Sequence, residues 1–439
     1  MQSRPEYRFQ AKSDILTARF SPFHPSLIVG GTYSGQVLVW DTRSRSADPV
    51  QSTPLTMLNS TYNYASNTAG HSSPIYSLTF AGTQSAYSIL STSTDGTLCA
   101  WTPDMLTAPS ERHQLRDPYP ASFFHDASDL APTCLDLPVA SSAESHALIG
   151  TEQGGMYLVH RQDRAGGATK AGIDPRILFS GHDAPVMALD FHKAVGPLDL
   201  SDLALSAGLD WSIKLWRVRE ARDLQPPSTS SSTTSDDILA RHSRSRAQDY
   251  ASQIAYTKPY GIANKPEPIP PLLEIQKTDA VYDVRWSPAR PSVFASVDGS
   301  GTVEVWDLNE STDIPTARAW VSEYTGPNHP KNPTTATTTT ATNTLFATQT
   351  HITATSTLDA KLASQTSGPP AGHVGHSLNK CAWEHGDGRK IAVGGLSGVV
   401  TLFEVGEGLA GRRNAEVAEW EGMRRGVERM EGTGGRGRR

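Results

Sequence analysis

The sequence predicts an all-β chain of six similar units, stacked radially, with two polar inserts and a helix at the end. Two observations carry this. A segment running from a turn residue to an aromatic or apolar residue six positions later recurs six times. The residues between the turn and that last position alternate between two faces, as a strand requires.

The six segments are Ser34–Trp40 (SGQVLVW), Asp95–Trp101 (DGTLCAW), Gln153–Val159 (QGGMYLV), Asp210–Trp216 (DWSIKLW), Ser300–Trp306 (SGTVEVW) and Ser397–Phe403 (SGVVTLF). Gly35, Gly96, Gly154, Gly301 and Gly398 sit at turns that need positive φ or tight geometry. First strands carry apolar residues in four of the units: Ile15, Ala18 and Phe20; Ile75, Leu78 and Phe80; Val186, Leu189 and Phe191; Val281, Val284 and Trp286. One such unit cannot bury both its faces, but radial stacking of four-stranded blades can. Candidate outer strands are residues 5–10, 49–55, 111–116, 176–180, 271–276 and 315–321. The first of these could instead close the last blade.

Intervals between successive segment ends are 61, 58, 57, 90 and 97 residues, so the last two hold insertions. Residues 221–270 contain a Ser/Thr run and the basic stretch Arg241–Arg246, and residues 322–376 contain a Thr-rich tract. Both lack the apolar surface to offset chain entropy and are expected to be disordered. From Arg413 to Glu431 a helix is expected, with Val417, Trp420, Arg424, Val427 and Met430 at 3–4 spacing. The units therefore span residues 1–410, and the helix with its basic tail spans 411–439.

Composition excludes several classes. The net charge is −6, which does not suit nucleic acid as the main partner. No apolar run approaches the roughly 18 residues of a membrane span. Residues 2–7 show no secretory leader. Cys99, Cys134 and Cys381 are far apart and odd in number, so neither disulfides nor a zinc cluster is expected, and a reducing compartment is the default. No Gly-rich phosphate loop and no His-Glu-x-x-His occurs, and His373 and His376 fall in the second insert. No catalytic residue, cofactor or metal is predicted.

The Gly70-His71, Gly181-His182, Trp40-Asp41 and Trp306-Asp307 pairs make the units resemble the WD-repeat β-propeller family. In that family a His, a Ser or Thr, an Asp and the Trp form a hydrogen-bonded chain within a blade. The resemblance assigns it here to His71, Ser91, Asp95 and Trp101, and to His182, Ser206, Asp210 and Trp216. The fold expected is six recognisable repeats of an incomplete seven-bladed ring.

A narrower resemblance rests on longer strings: Phe23–Asp41, Pro49–Leu55, Ser93–Gly96, Trp101–Leu106, Lys193–Asp199, Asp210–Trp216, Tyr282–Pro288 and Val297–Gly299. Over residues 5–320 and 377–430 the chain resembles the cytoplasmic dynein intermediate chains. This implies a non-catalytic motor subunit in the microtubule-associated cytoskeleton of the cytoplasm, whose propeller binds dynein heavy chain. The family's N-terminal coiled coil, light-chain region and first repeat have no counterpart here, so dynactin binding is expected only through that missing region. Thr348, Gln349 and Thr350 resemble the core of light-chain-binding peptides. The alternative is a general WD-repeat adaptor, such as a substrate receptor of a ubiquitin ligase. Candidate partner-binding residues are Trp211, Tyr76, Met187, Tyr282 and Tyr33, aromatic or Met side chains near the turns and the channel mouth.

Overall fold

The computed structural model describes residues 6–44, 46–55, 70–118, 129–138, 146–162, 171–219, 268–321, 349–352, 376–406, 408–411 and 417–434. Six four-stranded sheets form the blades of a propeller. Blade 1 holds β1 (Ile15–Phe20), β2 (Leu27–Thr32), β3 (Val37–Asp41) and β4 (Gln51–Ser52). Blade 2 holds β5 (Ile75–Thr83), β6 (Ala86–Ser93), β7 (Thr97–Trp101) and β8 (Glu111–Gln114). Blade 3 holds β9 (Pro132–Asp136), β10 (His146–Thr151), β11 (Met156–His160) and β12 (Gly172–Ile173). Blade 4 holds β13 (Val186–Phe191), β14 (Leu203–Gly208), β15 (Ser212–Arg217) and β16 (Leu273–Gln276). Blade 5 holds β17 (Val281–Trp286), β18 (Val293–Asp298), β19 (Thr302–Asp307) and β20 (Ala317–Trp320). Blade 6 holds β22 (Leu378–Trp383), β23 (Lys390–Gly395), β24 (Val400–Val405) and β21 (Gln349–Ile352).

Inner strands pack in sequence: β1 on β5, β5 on β9, β9 on β13, β13 on β17 and β17 on β22. Five apolar clusters fill the spaces between successive blades. The recipe repeats. Trp101 packs with Val29, Val37 and Val39 of the preceding blade. Phe403 packs likewise with Val303 and Val305. Among the described residues no cluster joins blade 6 to blade 1, so the ring is open there. Phe20 is 68% exposed and Val400 57% exposed on the two flanks of this opening. The sequence reads Ile15 and Phe20 as apolar positions of a first strand; both are exposed, with no described element packed over them.

A second correction concerns the segment proposed as an outer strand at residues 5–10. Residues 6–10 lie in no sheet. They cover blade 1 instead: the Phe9 ring lies 5.9 Å from Trp40, and Trp40 Nε1–H donates to Gln10 O at 3.3 Å. This keeps Trp40 buried although it faces the opening. The outer edge of blade 6 is taken by β21, which pairs with β24 in parallel, whereas all other strand pairs are antiparallel. The second insert thus contributes four residues to the fold, against the expectation of disorder throughout. In blade 3 the outer strand is Gly172–Ile173, and Phe179 adds only isolated bridges to Met156 and Ile269. Ile269 N–H donates to Leu178 O at 2.8 Å, so the chain has rejoined the fold by Ile269, inside the range 221–270 expected as insert. The remainder of both inserts, Arg241–Arg246 included, lies outside the described residues.

The helix α1 spans Val417–Gly434. Its buried stripe is Trp420, Met423 and Val427, with Met430 partly covered. Val417 and Arg424, which the 3–4 spacing placed on that stripe, point outward. The helix docks on blades 4 and 5 beside Leu200, Phe294 and Trp306. Arg290 Nε donates to Glu419 Oε1 at 2.8 Å and Arg217 Nη1 to Glu431 Oε1 at 3.1 Å.

Candidate functional site

The turn between the second and third strand of every blade folds back onto the residue that enters the inner strand. The bonds are Tyr33 N–H to Asp14 O, Thr94 to Pro74, Glu152 to Ala131, Leu209 to Pro185, Gly299 to Ala280 and Leu396 to Ser377, all between 2.8 and 3.3 Å. Turns and entry loops therefore share one face of the propeller. On that face the inner strands begin with a register break, at Ile15/Thr17, Ile75/Ser77, Val186/Ala188, Val281/Asp283 and Leu378/Lys380. A bulge re-aims the extra residue. Tyr76, Met187 and Tyr282 are such residues, in blades 2, 4 and 5.

The turn backbones have φ between 71° and 84° at Gly35, Gly96, Gly154, Gly301 and Gly398. Blade 4 has Trp211 at this position, with φ 63°. A side chain in the left-handed region costs about 1 kcal/mol. Trp211 is 49% exposed, Tyr76 45% and Tyr33 59%. Met187 and Tyr282 are half-buried.

The blade networks lie beneath this face. In blade 4 Trp216 Nε1–H donates to Ser206 Oγ at 2.7 Å, and Ser206 Oγ lies 2.6 Å from His182 Nε2. His182 Nδ1 lies 2.9 Å from Asp210 Oδ2, and Asp210 Oδ1 accepts from Ser212 Oγ at 2.8 Å. Because the Ser206 oxygen accepts from the indole, its own proton goes to Nε2, which leaves Nδ1–H to face the carboxylate. Blade 2 repeats the chain from Trp101 through Ser91 to His71, at 2.8 and 2.7 Å. There Thr97 Oγ1 stands between His71, at 2.8 Å, and Asp95, at 2.5 Å. Burial alone would raise the Asp95 carboxyl, but His71, Thr97 and the Ser72 N–H hold it down at about 2. Burial is likewise outweighed at Asp210 by His182, Ser212 and the Asp183 N–H, again at about 2. Ser–His–Asp order alone does not make a nucleophile. Ser91 and Ser206 are fully buried and engaged by indoles, so no substrate reaches them.

Two features escaped the sequence reading. In blade 5 Lys277 stands four residues before Val281, where blades 2 and 4 have His. Its ammonium pairs with Glu304, lies 3.8 Å from Asp298 and sits 5.8 Å from the centre of the Trp306 ring. The ten-residue Ser296–Trp306 spacing, shared with Ser91–Trp101 and Ser206–Trp216, was the available signal. Second, inner-strand side chains latch blades 2, 3, 4 and 5 each to the next. Ser77 Oγ accepts Leu135 N–H, Asp136 accepts Phe191 N–H, Asp190 accepts Trp286 N–H and Asp283 accepts Cys381 N–H, between 2.7 and 3.1 Å. Burial opposes ionisation of Asp190, but Lys193 and Arg285 hold its carboxyl below the usual range.

Among the described residues no group of three or more His, Cys, Asp or Glu is placed to hold a metal ion, and no helix is long and apolar enough to cross a membrane. The three cysteines are buried and free.

Comparison with known proteins agrees with this architecture. The family model described as WD domain, G-beta repeat matches residues 63–102 and 271–307. Cytoplasmic dynein 1 intermediate chain of Drosophila melanogaster is 29% identical over 316 residues, which cover 72% of this chain and 36% of the relative. The match thus spans about a third of that relative's length. With six blades in place and WD repeats matched in two regions, the chain is a WD-repeat β-propeller that resembles cytoplasmic dynein intermediate chain.

Proposed function

We propose that the chain is a non-catalytic scaffold subunit of the cytoplasmic dynein motor, which binds dynein heavy chain through its propeller in microtubule-based transport in the cytoplasm. The similarity to dynein intermediate chain over 72% of the chain carries this reading. The turn face supports the choice of docking surface. It presents Trp211, Tyr76 and Tyr33 to solvent, and aromatic side chains of this kind are frequent hot spots. Met187 and Tyr282, at the starts of β13 and β17, are half-buried.

Light-chain capture at Thr348, Gln349 and Thr350 is a subsidiary proposal. Thr348 lies outside the described residues. Gln349 and Thr350 belong to β21, so this strand would have to leave β24 before adding to a light chain. The opening between blades 6 and 1 is the place a seventh blade would occupy.

The test is a pull-down of the tagged chain from extract, read by mass spectrometry, beside the Trp211→Gly variant. Recovery of dynein heavy chain by the parent and several-fold less by the variant supports both the partner and the face. Recovery of ubiquitin-ligase subunits in place of heavy chain would replace this reading with the adaptor one.

A further inference from the structure

The inner strands carry a belt of polar side chains into the central channel. Arg19, Thr79, Asp136, Asp190 and Arg285 hold the same register position in blades 1 to 5, opposite Val29, Leu90, Leu148, Leu205 and Ala295. Blade 6 has Ala382 at that level and Lys380 two residues before it. The acids of the belt are engaged. Asp136 accepts Phe191 N–H at 2.8 Å and lies 3.5 Å from Lys193 Nζ. Asp190 accepts Trp286 N–H at 2.7 Å and pairs with Lys193 and, at 3.3 Å, with Arg285. Asp283 accepts Cys381 N–H at 3.0 Å, pairs with Arg285 at 3.2 Å and has Lys380 at 3.9 Å. Among the described residues the cations Arg19, Lys193, Arg285 and Lys380 outnumber these carboxylates.

Arg19 is the cation without a countercharge. It is half-buried, and among the described residues its guanidinium has no ion-pair partner. Its Nη1 donates to Thr79 Oγ1 at 3.5 Å, the limit of a hydrogen bond. Loss of water and the like charge of Arg285 pull Arg19 below the usual arginine range, against the opposing pull of Asp136, Asp190 and Asp283. Thr79 supplies an independent observation. It is 6% exposed, and its hydroxyl proton meets no acceptor among the described residues. A buried donor left unmatched is costly. Two adjacent donors from different blades lack the same thing, an anionic acceptor. A phosphate can give two oxygens to the guanidinium fork and keep a third for the hydroxyl, whereas a carboxylate has only the two.

We propose that Arg19 and Thr79 seat a phosphate group in the channel. This goes beyond the motor reading and does not depend on it. Inorganic phosphate is titrated into the full chain at pH 7 and constant ionic strength, with broadening of the phosphorus NMR line as readout. Saturable binding is expected. Arg19→Gln should weaken it about ten-fold, and Thr79→Val should weaken it less, each with the melting temperature within a few degrees of the parent. Arg425→Gln removes the same charge from the exposed face of α1 and should leave binding unchanged. A parallel titration with phosphoserine separates the sources: tighter binding than inorganic phosphate assigns the seat to a phosphorylated ligand, weaker binding to the free ion.

The absence of saturable phosphate binding by the parent would overturn the proposal. So would binding that survives both Arg19→Gln and Thr79→Val, or an equal loss in Arg425→Gln, which would mark a response to net charge. If Arg19→Gln fails to fold, Thr79→Val against the parent decides the matter, because it keeps every charge of the belt. Recovery of heavy chain in the pull-down bears on none of these outcomes.

Discussion

At Trp211 an indole occupies a backbone conformation that the other described turns of this kind assign to glycine. Its ring gains little burial in return, being 49% exposed. Trp211→Gly should therefore raise the stability of the isolated chain by up to about 1 kcal/mol, visible as a higher midpoint in thermal or urea unfolding. A fall in that midpoint would show that the indole packs within the blade. Asp95 has the opposite character. Its carboxyl is held at about 2 against an ordinary 3.8, so the folded state binds its proton less readily than the unfolded chain. That contribution is fully present above about pH 5 and is lost as the pH falls through about 2. Its size at neutral pH is about 2 kcal/mol. Asp95→Asn should lower the unfolding midpoint clearly at pH 7, and the gap to the parent should narrow towards pH 2.5. A constant gap would locate the effect in shape and not in charge.

At the scale of elements, the inner strands and α1 hold neighbouring blades together by different means. Strands β9, β13 and β17 use carboxylates that cross to the next blade's backbone, and burial makes those bonds strong only because Lys193 and Arg285 balance the charge. Helix α1 uses shape. Trp420 seats over Gly196, where an added Cβ would stand about 2.1 Å from the indole, and it packs edge-on to His192 at 5.9 Å. Trp420→Ala should cost about 3–5 kcal/mol and free the helix. The checks are hydrogen exchange across residues 417–434 and protease cleavage ahead of the helix. Retained protection there would mean that the ion pairs of Glu419 and Glu431 suffice to hold it.

At the scale of the whole molecule, the described residues form six blades with five filled spaces between them. The sixth space leaves one sheet flank of blade 1 and one of blade 6 towards solvent, with Phe20 and Val400 at their surfaces. Exposed apolar sheet of this kind promotes association. The isolated chain should self-associate as its concentration rises. Phe20→Glu combined with Val400→Glu should suppress this in sedimentation velocity while leaving the unfolding midpoint within about 1 kcal/mol of the parent. Self-association unchanged by the pair would place the sticky surface elsewhere.

The repeat is legible in the chain's local pattern. The turn-to-aromatic spacing, the strand alternation and the turn glycines are local properties, set by φ requirements and by the two-residue period of a strand, and each reads correctly without knowing its neighbours. Trp211 was legible in the same way, as a non-glycine at a glycine turn. Tertiary structure alone decided what each strand faces. Phe20 and Phe80 look alike in sequence, yet Phe80 packs against a filled space and Phe20 borders an empty one. Residues 6–10 read as an outer strand, but their backbone follows Trp40, whose ring needed cover where no blade supplied it. In α1, by contrast, Met423 and not Arg424 joins Trp420, Val427 and Met430, a choice that their apolar 3–4–3 spacing already records. Lys277 takes the histidine's place because Glu304, far from it in the chain, supplies a buried countercharge. Burial and charge pairing depend on groups distant in sequence, and no local pattern records them.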